Sequence, residues 1–401
     1  LMNHLAFFSF FRRHGVACVC AMGLVLPAGA GAQVLAVPAP SIEAKAYLLL
    51  DVTSGQILAE RTSDQPVEPA SLTKLMTAYL VFDALKDKNI TLEQTFEVSE
   101  RAWRMPGSRM FIEPGMQIPV LDLLKGTIVQ SGNDATTVLA EGVGGSVEQF
   151  VAMMNAQAKV LGMNDTSYRN PEGLTAEGHT TSARDLATLA QRLMQDFPEY
   201  VPLYAIKHYR YPGTPKANDT NRNLLLFRDP TVDGLKTGHT SAAGYCLVAT
   251  ASRPVPGLGA NGQRRLLSVV LGADSQSARA TESQKLLNWG YTSFEAVRIS
   301  EFGKAVVQPT VWKGDQKFAQ LGVPSGVVVS VPRGARADVQ TVASFDEPLM
   351  APLKLGQTVG KLSLTLKDGT LLASYPLEVL QPVGQANFVG RIWDTLLLWA
   401  D

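Results

Sequence analysis

Pro69-Ala70-Ser71-Leu72-Thr73-Lys74 runs directly into Leu75-Met76-Thr77-Ala78-Tyr79-Leu80. Apolar side chains recur at Leu72, Leu75, Met76, Tyr79, Leu80 and Leu85, three and four residues apart, so the spacing predicts an amphipathic helix beginning at Ser71. Upstream, Tyr47-Leu48-Leu49-Leu50-Asp51 and Gln56-Ile57-Leu58-Ala59-Glu60 flank the turn Thr53-Ser54-Gly55 and read as a hairpin. Downstream, helical runs follow at about 120–140, 146–161 and 182–195, then a polar loop at 210–223. Val232 to Lys236, Gly244 to Thr250 and Leu266 to Gly272 read as strands, and Ala278 to Trp289 as a closing helix. Helices enclosed between an opening hairpin and late strands predict an α+β domain over 42–292 whose sheet joins both ends of that segment.

Composition shifts after that domain. Between 300 and 382 helical periodicity is lost, and Val327 to Val331, Leu362 to Leu366 and Leu371-Leu372 form short β-rich runs. The alternation Leu362-Ser363-Leu364-Thr365-Leu366 before Asp368-Gly369 is a hairpin signal, so a second, all-β domain is expected. From Asn387 to Asp401 the apolar residues Phe388, Val389, Ile392, Trp393, Leu396, Leu397, Trp399 and Ala400 share one helical face. Arg391, Asp394, Thr395 and Asp401 share the other, with Leu398 as the exception. Fifteen residues are too few to span a bilayer but can lie in its interface.

The first 32 residues read as a secretory leader: Arg12 and Arg13, an apolar run from Val16 to Leu26, then Ala30-Gly31-Ala32 as a cleavage site. Leu1-Met2 points to Met2 as the start. The neighbours of the arginine pair do not support a twin-arginine route. Residues 33–41 form an Ala/Pro/Val linker. The whole chain carries 36 basic and 36 acidic residues. Loss of the leader removes two basic and no acidic ones, leaving 34 against 36, a net of −2. No basic excess or basic run supports nucleic-acid binding. Cys18 and Cys20 leave with the leader, so the remaining Cys246 has no intrachain disulfide partner and is expected to be a buried, inert thiol.

Ser71 and Lys74, three apart at a helix start, project from one face of the first turn. The positive helix end favours a developing alkoxide, and a desolvated lysine can lose its proton and act as base. Alone the pair is weak, since average residue usage predicts about one Ser-x-x-Lys in a chain of this length. Ser131-Gly132-Asn133 adds a hydroxyl and an amide on a tight turn. Lys236-Thr237-Gly238 adds a cation, a hydroxyl and a position without side-chain bulk on a strand. In this order, with gaps of 60 and 105 residues, the three form the signature of active-site serine penicillin-recognising enzymes.

On Pro69 to Lys74, Gln130-Ser131-Gly132-Asn133-Asp134-Ala135, Asp233 to Thr240 and Ala278-Arg279-Ala280-Thr281-Glu282-Ser283, the chain resembles the low-molecular-mass penicillin-binding proteins. These are serine-type D-alanyl-D-alanine carboxypeptidases, and the likeness covers nearly all of the mature chain. It implies a transpeptidase/β-lactamase-like catalytic domain, a β stalk and a C-terminal amphipathic anchor on the periplasmic face of the cytoplasmic membrane. It implies peptidoglycan stem peptides ending in D-Ala-D-Ala as substrate, β-lactams as covalent inhibitors, and no cofactor. By resemblance Ser71 attacks the penultimate D-Ala carbonyl, Lys74 takes its proton and Ser131 relays a proton to the leaving D-Ala. Asn133 holds the substrate amide, Lys236 supports the proton network, and Thr237 and Arg279 bind the terminal carboxylate. Gly238 leaves room for the substrate, and the backbone N–H groups of His239 and Ser71 form the oxyanion hole.

Other readings are weaker. A D,D-endopeptidase cutting cross-links is expected to lack the β domain and tail. A serine β-lactamase requires a deacylating glutamate, and Asn170-Pro171-Glu172-Gly173-Leu174 lacks the Glu-x-x-Leu-Asn arrangement, so Glu172 is read as a turn residue. A scaffold with a dead site conflicts with three intact motifs. The mature histidines His179, His208 and His239 show no zinc-ligand spacing.

Overall fold

In the computed structural model, which describes residues 37–256, 258 and 262–399, the hairpin is β1 (Ala46–Asp51) and β2 (Gln56–Arg61). A 3-10 turn at Ala70–Thr73 passes into α1 (Lys74–Lys86). A small subdomain of β3 (Thr95–Glu97), α2 (Glu100–Trp103), β4 (Gln117–Pro119) and α3 (Val120–Lys125) leads to α4 (Asn133–Gly144), α5 (Val147–Val160) and α6 (Ala183–Asp196). After the short α7 (Leu225–Arg228) come β5 (Val232–Thr240), β6 (Gly244–Pro254), β7 (Gln263–Ala273) and α8 (Gln276–Ser293). The leader reading lies outside the described residues.

The five strands form one antiparallel sheet in the order β2-β1-β7-β6-β5. Alternating side chains are apolar on both faces. Leu48, Leu50, Val248, Val269 and Leu271 enter the core shared with α1, α4 and α6, while Tyr47, Leu49, Leu247, Ala249 and Val270 enter the core beneath α8. A sheet covered on both sides needs such continuous apolar runs. The opening hairpin thus sits beside the late strands, and β5 is left as an edge along which a peptide can lie.

Two local features differ from the sequence reading. Ser71 does not cap α1: it lies within the 3-10 turn, where the Thr73 hydroxyl donates to the Ala70 carbonyl (2.8 Å). The run at 120–140 is not one helix. A wide π-type turn at Gly126–Gln130 ends in Ser131 with φ of 58°, and α4 starts anew at Asn133. Ile128 and Val129 remain buried through the break, so apolar periodicity continues where the backbone hydrogen bonding changes.

The β-rich part begins at β8 (Phe294–Ser300), directly after α8. β9 (Val311–Trp312), β10 (Leu321–Gly322), β11 (Val327–Pro332), β12 (Val339–Phe345), β13 (Leu349–Met350), β14 (Thr358–Leu366) and β15 (Leu371–Val379) follow. β8 pairs with β11, and β10-β15-β14-β12 form a sheet. Its predicted hairpin turns at Gly369, with φ of 87°. A buried polar joint ties this part to the first: Arg264 Nε donates to Asp51 (2.8 Å), Nη1 to the Phe294 carbonyl (2.8 Å) and Nη2 to Ser330 Oγ (3.2 Å).

The tail forms α9 (Phe388–Leu398), capped by Asn387. Its polar face turns inward, where the Lys313 N–H donates to Asp394 (2.5 Å), and Leu398 lines a cavity with Pro309 and Trp312. Leu398, the exception to the helical pattern, therefore packs on the β domain. The apolar face stays outward, with Val389 74% and Trp393 63% exposed. No helix among the described residues is long and apolar enough to cross a membrane.

Candidate active site

The 3-10 turn, the left-handed turn at Ser131 and the edge strand β5 converge on a cavity of about 330 Å³ lined by Ser71, Ser131, Thr237, Gly238, His239 and Arg279, among others. Gly238 suits this close approach: a Cβ would stand 3.2 Å from the Ala70 Cβ, the Leu72 Cγ and the Pro69 carbonyl oxygen, so any side chain would press β5 away from the turn carrying Ser71 by a few tenths of an ångström.

Lys74 lies under Ser71, 1% exposed. Its ammonium nitrogen donates to Ser71 Oγ (3.1 Å), Asn133 Oδ1 (2.7 Å) and the Glu172 carbonyl (2.6 Å). Burial pulls its pKa down to about 7; the negative charges of Glu172 and Asp134 oppose that fall, and the Arg222 cation adds to it. Lys236, also buried, donates to Ser131 Oγ (3.0 Å) and the Thr237 carbonyl (3.0 Å). Burial, then the cations Lys74, Arg222 and Arg279, push its pKa well down. Arg279 donates to the Gly238 carbonyl (3.0 Å), which places it on the floor of the cavity although it sits at a helix start; burial lowers its pKa to about 10.

Sequence reasoning missed one neighbour that matters here. Arg222, in the polar loop before α7, lines the cavity and donates to Ser108 Oγ (2.6 Å). With Arg279 it makes a cavity lined by two arginines and, among the described residues, by no carboxylate. Such a surface favours an anionic ligand, whose charge would also raise the depressed pKa of Lys236. A single arginine in a polar loop has no periodicity to announce it.

Three placements add to the sequence reading. Asn133 Oδ1 accepts from Lys74 and Nδ2 donates to the Pro106 carbonyl (2.6 Å), so the side chain also fixes the lysine. The His239 ring is exposed and tilted over Tyr245, with centroids 4.0 Å apart. Glu172 lies in a turn, but its side chain is buried rather than solvated, accepting from Thr137 Oγ1 (2.6 Å). Cys246 is buried on β6, where burial raises its thiol pKa to about 11, leaving it unreactive. Among the described residues no three His, Cys, Asp or Glu side chains are grouped to hold a metal ion.

Residues 33–275 match the family described as D-alanyl-D-alanine carboxypeptidase, and residues 294–385 match the penicillin-binding protein 5 C-terminal domain. The chain belongs to the D-alanyl-D-alanine carboxypeptidase family. It is 41% identical over 370 residues to the D-alanyl-D-alanine carboxypeptidase DacC of Escherichia coli, covering 90% of each chain. Penicillin-binding protein 5 of Haemophilus influenzae superposes with a TM-score of 0.81 at 39% identity, over 87% of this chain and all of that one. The ampicillin-bound form of penicillin-binding protein D2 from Listeria monocytogenes matches with a TM-score of 0.56 at 30% identity, over 64% of this chain and all of that one. The fold is the transpeptidase-like α+β domain followed by the all-β domain of these penicillin-binding proteins, and the enzyme is a serine-type D-alanyl-D-alanine carboxypeptidase.

Proposed function

We propose that the enzyme removes the terminal D-Ala of peptidoglycan stem pentapeptides through an acyl-enzyme on Ser71. The observation that carries this reading is the placement of Ser71 Oγ 3.1 Å from the low-pKa Lys74, on the wall of a cavity lined by two arginines. Lys74 takes the Ser71 proton as Oγ bonds to the penultimate D-Ala carbonyl carbon. The carbonyl's electron pair moves onto oxygen, held by the backbone N–H groups of Ser71 and His239. As the C–N bond breaks, Lys74 gives that proton through Ser131, supported by Lys236, to the departing amine; a water then attacks the acyl carbon, its O–H bond breaks as the ester C–O bond does, and the proton returns to Ser71 Oγ. Arg222, Arg279 and Thr237 hold the terminal carboxylate, and Asn133 keeps Lys74 pointed at Ser71. A β-lactam presents a comparable carbonyl and carboxylate and is taken by the same groups.

The same reading places the enzyme outside the cytoplasm, on the periplasmic face of the cytoplasmic membrane. The leader pattern of residues 1–32 and the outward apolar face of α9 support it. Two measurements test the activity together: free D-Ala released from a stem pentapeptide, and one penicillin adduct by intact mass. Both are expected for the native chain and absent in Ser71→Ala. An adduct that survives that substitution would overturn the assignment.

A further inference from the structure

Glu172 is a buried acid that the mechanism above leaves unused. It sits in a turn pinned from several sides. Asn170 Oδ1 accepts from the N–H groups of Gly173 (2.7 Å) and Leu174 (3.0 Å), Thr77 Oγ1 donates to the Pro171 carbonyl (2.8 Å), and Lys74 donates to the Glu172 carbonyl. These bonds press the turn onto α1 and direct the Glu172 side chain inward, 2% exposed, to Thr137 of α4. No Lys, Arg or His among the described residues forms an ion pair with its carboxylate.

The charges nearby make this position consequential. Lys236 of β5, Arg222 of the preceding loop and Arg279 of α8 add cations around Lys74 and its neighbours, and the more distant charge of Arg101 of α2, itself paired with Glu148, acts weakly on Glu172. The charge of Asp134 of α4 also acts on Lys74, but its carboxylate accepts from the N–H groups of Met110 (2.7 Å), Phe111 (2.8 Å) and Ala135 (2.9 Å) and pairs with Arg109. His179, linked through Thr73 Oγ1 (2.9 Å), is held neutral by burial, with a pKa of about 4. When Lys74 takes the Ser71 proton it becomes a buried ammonium among cations, a costly state without a compensating charge.

We propose that Glu172 is a positioning residue for this proton transfer, its carboxylate supplying the negative charge against which Lys74 becomes an ammonium. The inference rests on the reading of Ser71 as nucleophile and Lys74 as base. The Ser71 O–H bond breaks, an N–H bond forms on Lys74, and Glu172 neither gains nor loses an atom. Burial holds the Glu172 pKa above the usual carboxylate range; the Thr137 hydrogen bond and the Lys74 charge oppose that rise, so the ionised carboxylate depends on both partners.

The test is the pH profile of acylation by a fluorescent penicillin for the native chain, Glu172→Gln and Thr137→Val. Glu172→Gln keeps the shape and removes the charge. Its acid limb should move to lower pH by about one unit, because a lysine without its anion loses its proton more readily. Its plateau should fall about threefold to tenfold, because the weaker base accepts the Ser71 proton less well. Thr137→Val removes the hydrogen bond that favours the charged carboxylate and should move the limb the same way by less. A Glu172→Gln limb that coincides with the native one overturns the inference whatever its plateau, since a purely structural defect lowers the rate at every pH. Should the glutamine variant not fold, an unmoved limb in Thr137→Val does the same. Absence of a Ser71 adduct in the native chain removes the underlying reading; an adduct with unmoved limbs removes the inference alone.

Discussion

The ammonium of Lys236 donates to the hydroxyl of Ser131 across 3.0 Å, although the two residues stand 105 positions apart. Lys74 and Ser71 form a second such pair at 3.1 Å. The pairs differ in their surroundings. Lys74 is also tied to Asn133 and the Glu172 carbonyl, whereas Lys236 has the Thr237 carbonyl and the nearby cations. Lys74→Arg should therefore abolish acylation, since a guanidinium holds its proton at working pH and cannot take one from Ser71. Lys236→Arg keeps the charge and should leave measurable acylation. Stopped-flow labelling with a fluorescent penicillin separates the two, and equal losses would mean that their duties are misassigned.

The pH dependence of the native enzyme follows from the same geometry. Lys74 must be neutral to act as base, and burial brings its pKa to about 7. The acylation rate should rise with pH, pass half its maximum near that value and level off above it. A rate already flat from pH 5 upward would show that another group accepts the proton.

How much of this was legible in the sequence depends on whether a residue lies in a pattern. Ser71, Lys74, Ser131 and Lys236 each occupy a short motif, and those motifs meet at one cavity. The two-faced burial of β1, β6 and β7 shows in their largely apolar runs, which Thr250 and Ser268 interrupt only singly. The 3-10 turn at Ser71 could not be read in this way, because contacts far along the chain hold it, including Thr73 with His179 at 2.9 Å. Nor could the inward turn of Glu172 or the placement of Arg222, since a polar residue in a loop looks the same whether it faces water or a cavity.

Arg222 and Arg279 should be separable by substitution. Arg279 also holds the Gly238 carbonyl of the edge strand, while Arg222 contacts the Ser108 hydroxyl. Arg222→Gln should raise KM for a D-Ala-D-Ala peptide about tenfold to a hundredfold, the worth of a charge-assisted hydrogen bond of roughly 1.5–3 kcal/mol, with a smaller effect on kcat. Steady-state kinetics on a soluble pentapeptide checks this. The same substrate amidated at its C-terminus should bind the native enzyme and the variant alike.

Arg264 and Asp51 form a buried pair at the joint between the two domains, completed by Ser330 of β11. Asp51→Ala leaves the guanidinium buried without its anion and should cost about 3–5 kcal/mol. Thermal unfolding should show the loss as a lowered midpoint. A midpoint within a degree of the native one would mean that the joint contributes little.

The tail supplies the last expectation. α9 turns Asp394 and Leu398 to the β domain and leaves Phe388, Val389, Trp393 and Leu396 outward. Burial of that face at about 25 cal/mol per Å² of apolar surface can supply several kcal/mol of membrane affinity. Its electrostatic part is small, because Asp394 accepts from the Lys313 N–H and Arg391 lies beside Gln385. Attachment to lipid vesicles should therefore change little between low and high salt, whereas a basic tail would detach as screening increases. Truncation before Asn387 should release an enzyme that still cleaves a soluble pentapeptide, because the cavity is built wholly from residues 71–279. If the truncated enzyme loses that activity, α9 belongs to the folded unit and its docking through Asp394 and Leu398 is structural rather than a mount for a membrane anchor.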